Sequence, residues 1–233
     1  MTAGSARTMA ADIARQIENE VVADGWRVGT SVGSESAIMD RFGASRSVVR
    51  EAFRILESRH VATPRRGPGG GLVVTAPDLS TVLDQASLYL EYSGFTADDL
   101  FQTMELLEIA AVEQVAATIS RADLDGLRDT LTAEAEVDDL RFAPSTVYTE
   151  LARLTDNPVL ALFVDIGNNL SRTHGIRPSQ SEQRWIHQHS VDLVDALAAG
   201  DALAAVRTVR RRIRGLRRRQ SVTSTRHDST GVQ

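Results

Sequence analysis

Residues 29–74 read GTSVGSESAIMDRFGASRSVVREAFRILESRHVATPRRGPGGGLVV, and the architecture follows from this stretch. Ser34-Glu35 sets a hydroxyl cap before an acid in the first turn, which satisfies free N–H groups and the positive end of the helix dipole, so a short helix is predicted through Phe42. Gly43-Ala44 makes a tight turn, and Ser45 caps a longer helix running to about Arg59. Val49, Ala52, Phe53 and Leu56 form the inner stripe of that helix. Residues 61–64 and 72–75 read as two short strands, joined by the glycine-rich loop 65–71. Upstream, Met9, Ile13, Ile17 and Val21 recur every four residues and give a first amphipathic helix ending near Asp24-Gly25. Three helices and a glycine-rich hairpin compose a winged helix-turn-helix.

The chemistry of this head sits on its third helix. Arg46, Arg50 and Arg54 stand in one i, i+4 row, with Ser47 beside them and the apolar stripe behind. A helix that enters the major groove needs this division, one face anchored and the other able to reach base edges. Arginine forms two bonds to guanine O6 and N7, and Ser45 and Ser47 at the helix start suit phosphates. An arginine row alone is equally a solvated face. The hairpin tilts the balance, because Arg65 and Arg66 at its tip suit a wing that lays guanidinium groups in the minor groove.

Taken whole, the stretch resembles the winged-helix domain of the GntR family of bacterial regulators. The matching features are Ser34-Glu35, Phe42-Gly43, Ser45-Arg46 leading to Val49-Arg50-Glu51-Ala52, and Arg66-Gly67 followed by Gly69. The resemblance implies operator contacts by Arg46, Ser47, Arg50, Arg66 and Gly67. Ser36 stands where some members carry a basic residue, and Val32-Gly33 replaces the usual Leu-Pro, so an operator sequence does not transfer from a relative.

Charge divides along the chain. Residues 1–77 hold ten Arg against eight acids, residues 78–206 seven against 22, and residues 207–233 nine against one. A weakly basic head on an acidic body suits a protein that touches DNA at one end. The chain contains no lysine, so guanidinium is its only strongly basic side chain.

Ala76-Pro77-Asp78 marks the boundary: a head over 1–76, a linker over 77–80, a helical domain over 81–219 and a disordered polar tail over 220–233. Past the boundary only helical periodicity is found, near 79–93, 97–119, 121–136, 144–155, 158–173, 180–199 and 201–218. Leu100, Met104, Leu107, Ala111 and Val115 form a long seam in the second of these. Short connections favour an antiparallel bundle, so the fold class is mainly α. This body resembles the FCD branch of the same family, anchored on Leu107-Glu108, on the passage from Leu151 to Asn157-Pro158, and on Asp195-Ala196-Leu197 with Gly200-Asp201.

In many FCD domains one Asp and three His hold a divalent metal that helps bind a small carboxylate. Those ligand positions fall here on Pro144, Tyr148, Ser190 and Arg212, and a common seam-helix Arg falls on Met104. None of the four is an acceptable transition-metal ligand, so no metal and no cofactor are expected. His187 lies three residues before Ser190 on the same helix face, while His189 is rotated away; both read as polar surface or satisfied interior histidines. Arg212 sits beside the inner stripe of Val209, Ile213 and Leu216, where a half-buried guanidinium needs a carboxylate. Glu108 is one partner and an anionic effector the other, with the internal bridge favoured. Met104, Glu108, Tyr148, His187, Ser190 and Arg212 are therefore the candidate effector pocket. The outer row (Arg207, Arg210, Arg211, Arg214, Arg217, Arg218) reads as a solvated helix end, with DNA contact as the alternative.

Other functions fare worse. The chain has no cysteine, which removes disulfides and thiolate sites together. It has no apolar run of membrane-spanning length and no signal-like start, so no membrane is expected and the cytoplasm is the expected compartment. No nucleophile–base pair is visible, and Gly69-Gly70-Gly71 lacks the Lys and helix start of a nucleotide loop, so no enzyme is expected. The resulting expectation is a homodimeric repressor on a palindromic double-stranded operator, modulated by an anionic or acyl-type small molecule in its helical domain. The alternative is a constitutive DNA-binding regulator whose effector domain is degenerate and ligand-free.

Overall fold

A computed structural model describes residues 3–65, 71–136, 146–173 and 179–228. The chain forms two compact units, Met1–Ser80 and Thr81–Gln233.

The first unit runs α1 (Ala3–Ala23), β1 (Ser31–Gly33), α2 (Glu35–Phe42), α3 (Arg46–Ser58), β2 (Ala62–Arg65) and β3 (Gly71–Val74). As predicted, the Ser34 hydroxyl accepts the Ala37 N–H at 3.1 Å to cap α2. Gly43 closes α2 in the left-handed region at φ 59°, a conformation that costs other residues most, and so turns the chain toward α3. The end of α3 is a Schellman closure: His60 N–H bonds Glu57 and Val61 N–H bonds Leu56, each at 3.0 Å. His60 holds the left-handed position there at φ 54°. Val49, Ala52 and Leu56 are fully buried against a core that includes Ile13, Ile17, Ile38 and Leu72.

The sheet has order β1-β3-β2, with both pairings antiparallel. Strand β1 was not anticipated. It is three residues long, ends in Gly33 and pairs with β3 through an irregular register, so it lacks alternation of any readable length. Gly71 reads in sequence as wing loop but is the first residue of β3, pressed against β1. A β-carbon there would lie 2.4 Å from the Gly33 carbonyl oxygen.

The second unit contains, among its described residues, seven helices: α4 (Leu79–Ser93), α5 (Ala97–Ala116), α6 (Arg121–Glu136), α7 (Thr146–Arg153), α8 (Pro158–Thr173), α9 (Gln180–Ala198) and α10 (Ala202–Asp228). The breaks read from sequence are caps. Thr96 with Asp99, Ser120 with Asp123, and Ser179 with Glu182 form reciprocal side chain–backbone pairs at the starts of α5, α6 and α9. Asn157 caps α8, accepting the Val159 and Leu160 N–H groups at 3.1 Å with Pro158 in the first helical position. Helix α5 packs on α7, α8 and α10, and α9 packs on α6 and α10, around Leu100, Val112, Leu127, Leu151, Val164, Leu193 and Ile213.

Beyond Gln220 the backbone of α10 continues as far as Asp228. No glycine or proline lies between Gly215 and Gly231 to stop the helix. Among the described residues, no helix is long and apolar enough to cross a membrane.

Candidate nucleic-acid interface and buried polar centre

In the first unit, α3 is two-sided as its sequence requires. Its Val48, Val49, Ala52, Phe53 and Leu56 are buried, while the Arg46 and Arg50 side chains are 68% and 60% exposed. Both arginines turn to one acid: each Nε lies 3.2 Å from Oε1 of Glu35, the first residue of α2. Exposed ion pairs of this kind contribute at most about 1 kcal/mol, so they orient the two guanidinium groups while leaving them open to solvent. Arg54 bonds Glu51 one turn back on its own helix at 3.0 Å. Glu35 was visible in the sequence only as a first-turn acid, because its bridging role depends on how α2 and α3 cross.

Ser45 occupies the N-cap of α3 with extended backbone, yet its hydroxyl accepts no backbone N–H and instead meets the Ser47 hydroxyl at 3.1 Å. The first N–H groups of α3 thus have no side-chain cap, the arrangement that receives phosphate oxygens. Ser36, at the position of a basic residue in some relatives, is within 3.0 Å of the Ser34 hydroxyl. Arg65 is exposed at the end of β2. Arg66 and Gly67 lie outside the described residues.

In the second unit the structure brings together Glu108 of α5, Tyr148 of α7 and Arg212 of α10. Arg212 Nη2 donates to Glu108 Oε2, and the two side chains are only 6% and 2% exposed. The guanidinium carbon stands 3.9 Å from the centre of the Tyr148 ring, a cation–π stack sealed from water. Burial pushes the Glu108 carboxyl above its ordinary range, against the pull of Arg212. Burial alone would weaken the charge on Arg212, but Glu108 and then Tyr148 beside it hold the guanidinium protonated more firmly than usual. Burial also pushes the Tyr148 hydroxyl up to about 12. Among the described residues the Tyr148 hydroxyl and Arg212 Nε make no hydrogen bond.

The other pocket candidates have different surroundings. Met104 fills the crossing of α5 with α8, where a β-carbon on Gly167 would fall 2.0 Å from its sulfur. The buried Ser190 hydroxyl donates to the Ile186 carbonyl of its own helix at 3.4 Å. His187 is half-buried, with Nδ1 4.0 Å from a Glu134 oxygen. His189 is the more deeply buried histidine. Its Nδ1 donates to the Trp185 carbonyl at 2.8 Å, and its Nε2 has no partner among the described residues.

A resident divalent metal does not fit this centre. The position of one family ligand is taken by a permanent cation, Arg212, and another by a phenol held protonated, neither of which donates an electron pair at neutral pH. Pro144 lies outside the described residues. Among those described, no group of three His, Asp or Glu side chains converges.

Comparison with known proteins places these features. Residues 9–74 match the family described as bacterial regulatory proteins, gntR family, and residues 99–215 match the FCD domain. The Uxu operon regulator of Haemophilus influenzae is 29% identical over 142 residues, 58% of this chain and 50% of that protein. The Exu regulon transcriptional regulator of Escherichia coli is 30% identical over 116 residues, 50% of this chain and 42% of that protein. The chain therefore spans about half the length of the curated relatives it matches. Among solved structures, Streptococcus agalactiae GntR shares the fold with a TM-score of 0.67 at 18% identity, covering 90% of this chain and 99% of that one.

Proposed function

The chain belongs to the GntR family of bacterial regulators and carries its FCD domain, and from this premise we propose that it is a sequence-specific, DNA-binding transcription regulator acting in the cytoplasm. The observation that carries the reading is the pair Arg46 and Arg50, exposed on a helix whose other face is fixed in the core. Two such helices in a homodimer read half-sites of a palindromic operator about one DNA turn apart. Repression follows where that operator overlaps a promoter, and a small-molecule effector in the helical domain shifts the arrangement of the two heads. Selection of bound duplexes from a randomised pool tests the reading. The wild type enriches a two-fold symmetric sequence, and Arg46→Ala with Arg50→Ala loses it; an unstructured pool in the wild type would sink the proposal.

A second reading has its own support. Glu108 satisfies Arg212 internally, so the cation that would hold an anionic effector is already neutralised. On this reading the body is a ligand-free dimerisation domain and operator occupancy is set by protein concentration alone. A screen of organic anions for operator release separates the two: the first reading expects release by at least one of them, and the second expects none.

A further inference from the structure

An open groove of the second unit lies on the outer face of α10, away from its polar centre. It has a volume of about 510 Å³ and is lined by Arg207, Arg210, Arg211, Arg214 and Arg218, with Trp185 and Gly215 at its floor. The floor is built. A β-carbon on Gly215 would meet the Trp185 ring at 2.3 Å, so the glycine lets the indole of α9 lie against α10. Arg219 stacks on that ring at 4.3 Å, and His189 tilts against it at 4.1 Å between ring centres. The indole therefore has little face left for a second aromatic group, and recognition in the groove falls to the guanidinium groups.

Four of those groups carry more charge than the protein neutralises. Arg207 and Arg210 have only distant carboxylates, Asp201 at 3.8 Å and Glu105 at 3.9 Å. Arg211 and Arg214 form no ion pair among the described residues. They stand about one turn apart along one face, so like charges are neighbours and repel, a repulsion that an entering anion relieves. We infer that this groove is a binding site for a small, densely charged phosphate compound, a chain of two or three linked phosphoryl groups.

Three observations select that class. The volume of about 510 Å³ falls within the range of small-molecule sites. Four guanidinium groups that have distant carboxylates or no ion pair among the described residues, those of Arg207, Arg210, Arg211 and Arg214, call for an anion bearing several charges in a short span, which a monocarboxylate does not supply. Guanidinium forks pair with phosphate oxygens two at a time, so neighbouring arginines of the row converge on one short phosphate chain. The site lies on the opposite face of α10 from Arg212 and is independent of whether an effector enters the centre of the bundle.

The test is calorimetric titration of the full chain with inorganic tripolyphosphate, and with orthophosphate and citrate at matched ionic strength. One tripolyphosphate is expected to bind per chain, at least tenfold tighter than either comparison anion. The double variant Arg211→Ala/Arg214→Ala weakens it at least tenfold; both side chains are exposed, and an unchanged helical circular-dichroism spectrum confirms that the variant folds. Absence of saturable binding, equal affinity for citrate, or equal affinity in the double variant each overturns the proposal. A parallel titration with a duplex of unrelated sequence covers the competing occupant. If the double variant lowers duplex affinity while tripolyphosphate fails to bind the wild type, the groove is a DNA-backbone surface and the small-anion site is refuted.

Discussion

Glu108 and Arg212, 104 residues apart in the chain, meet as a buried ion pair between α5 and α10. Removing one partner leaves the other charge in the core, which costs about 3–5 kcal/mol, whereas replacing both by apolar groups of similar size is often neutral or stabilising. Arg212→Met is therefore expected to lower unfolding free energy by about that amount in urea titration. Glu108→Leu/Arg212→Met should recover most of it. A single variant within about 1 kcal/mol of wild type would show that water reaches the pair.

Glu35 predicts a selectivity effect. It orients Arg46 and Arg50, and on the proposed reading it would add negative charge beside the DNA phosphates. Glu35→Gln is expected to raise affinity for unrelated duplex, steepen the dependence of binding on salt, and narrow the ratio of specific to unrelated binding. Filter binding at several salt concentrations measures all three, and an unchanged ratio would remove Glu35 from the recognition apparatus.

Acid should loosen the helical body through its caps. The carboxyls of Asp99 and Asp123 are held below their ordinary 3.8 by hydrogen bonds from Thr96 and Ser120, and that of Glu182 below 4.5 by bonds from Ser179. A depressed folded-state pKa contributes stability that is fully present above the unfolded value and is lost as pH falls through the folded one. Thermal midpoints are thus expected to decline below about pH 4, and Asp99→Asn/Asp123→Asn to flatten that decline.

Two backbone positions give opposite signs. His60 holds a left-handed conformation that costs a non-glycine residue about 1 kcal/mol, so His60→Gly should stabilise the head by roughly that much. Gly71→Ala drives a methyl group into the Gly33 carbonyl and should cost about 1–3 kcal/mol, weakening the join of β3 to β1. Urea titration of the full chain reads both.

Much of the architecture is legible because its signals are local. Ser34, Asn157-Pro158 and Gly200-Asp201 mark helix ends by chemistry that acts within four residues, and the α3 stripe follows from helical period alone. The Glu108–Arg212 contact was open to inference because a guanidinium beside an apolar stripe demands an anion. What escaped was non-local or short. The two-armed role of Glu35 needs the crossing of α2 with α3, and the stacking of Tyr148 needs three helices in place. Strand β1 exists only through its partner. Helical phase likewise placed His187 beside Ser190 without showing that His189 is the more buried histidine.

The chain has two tryptophans, Trp26 and Trp185, and they fall in different compact units. Trp26 donates its indole N–H to the Thr75 carbonyl at 2.7 Å, and Trp185 meets the Arg219 guanidinium and the His189 ring. Each unit thus carries its own intrinsic fluorophore in a distinct environment. With Trp26→Phe and Trp185→Phe variants, emission from the remaining indole would follow the melting of head and bundle separately, and reveal whether one unit lends cooperativity to the other.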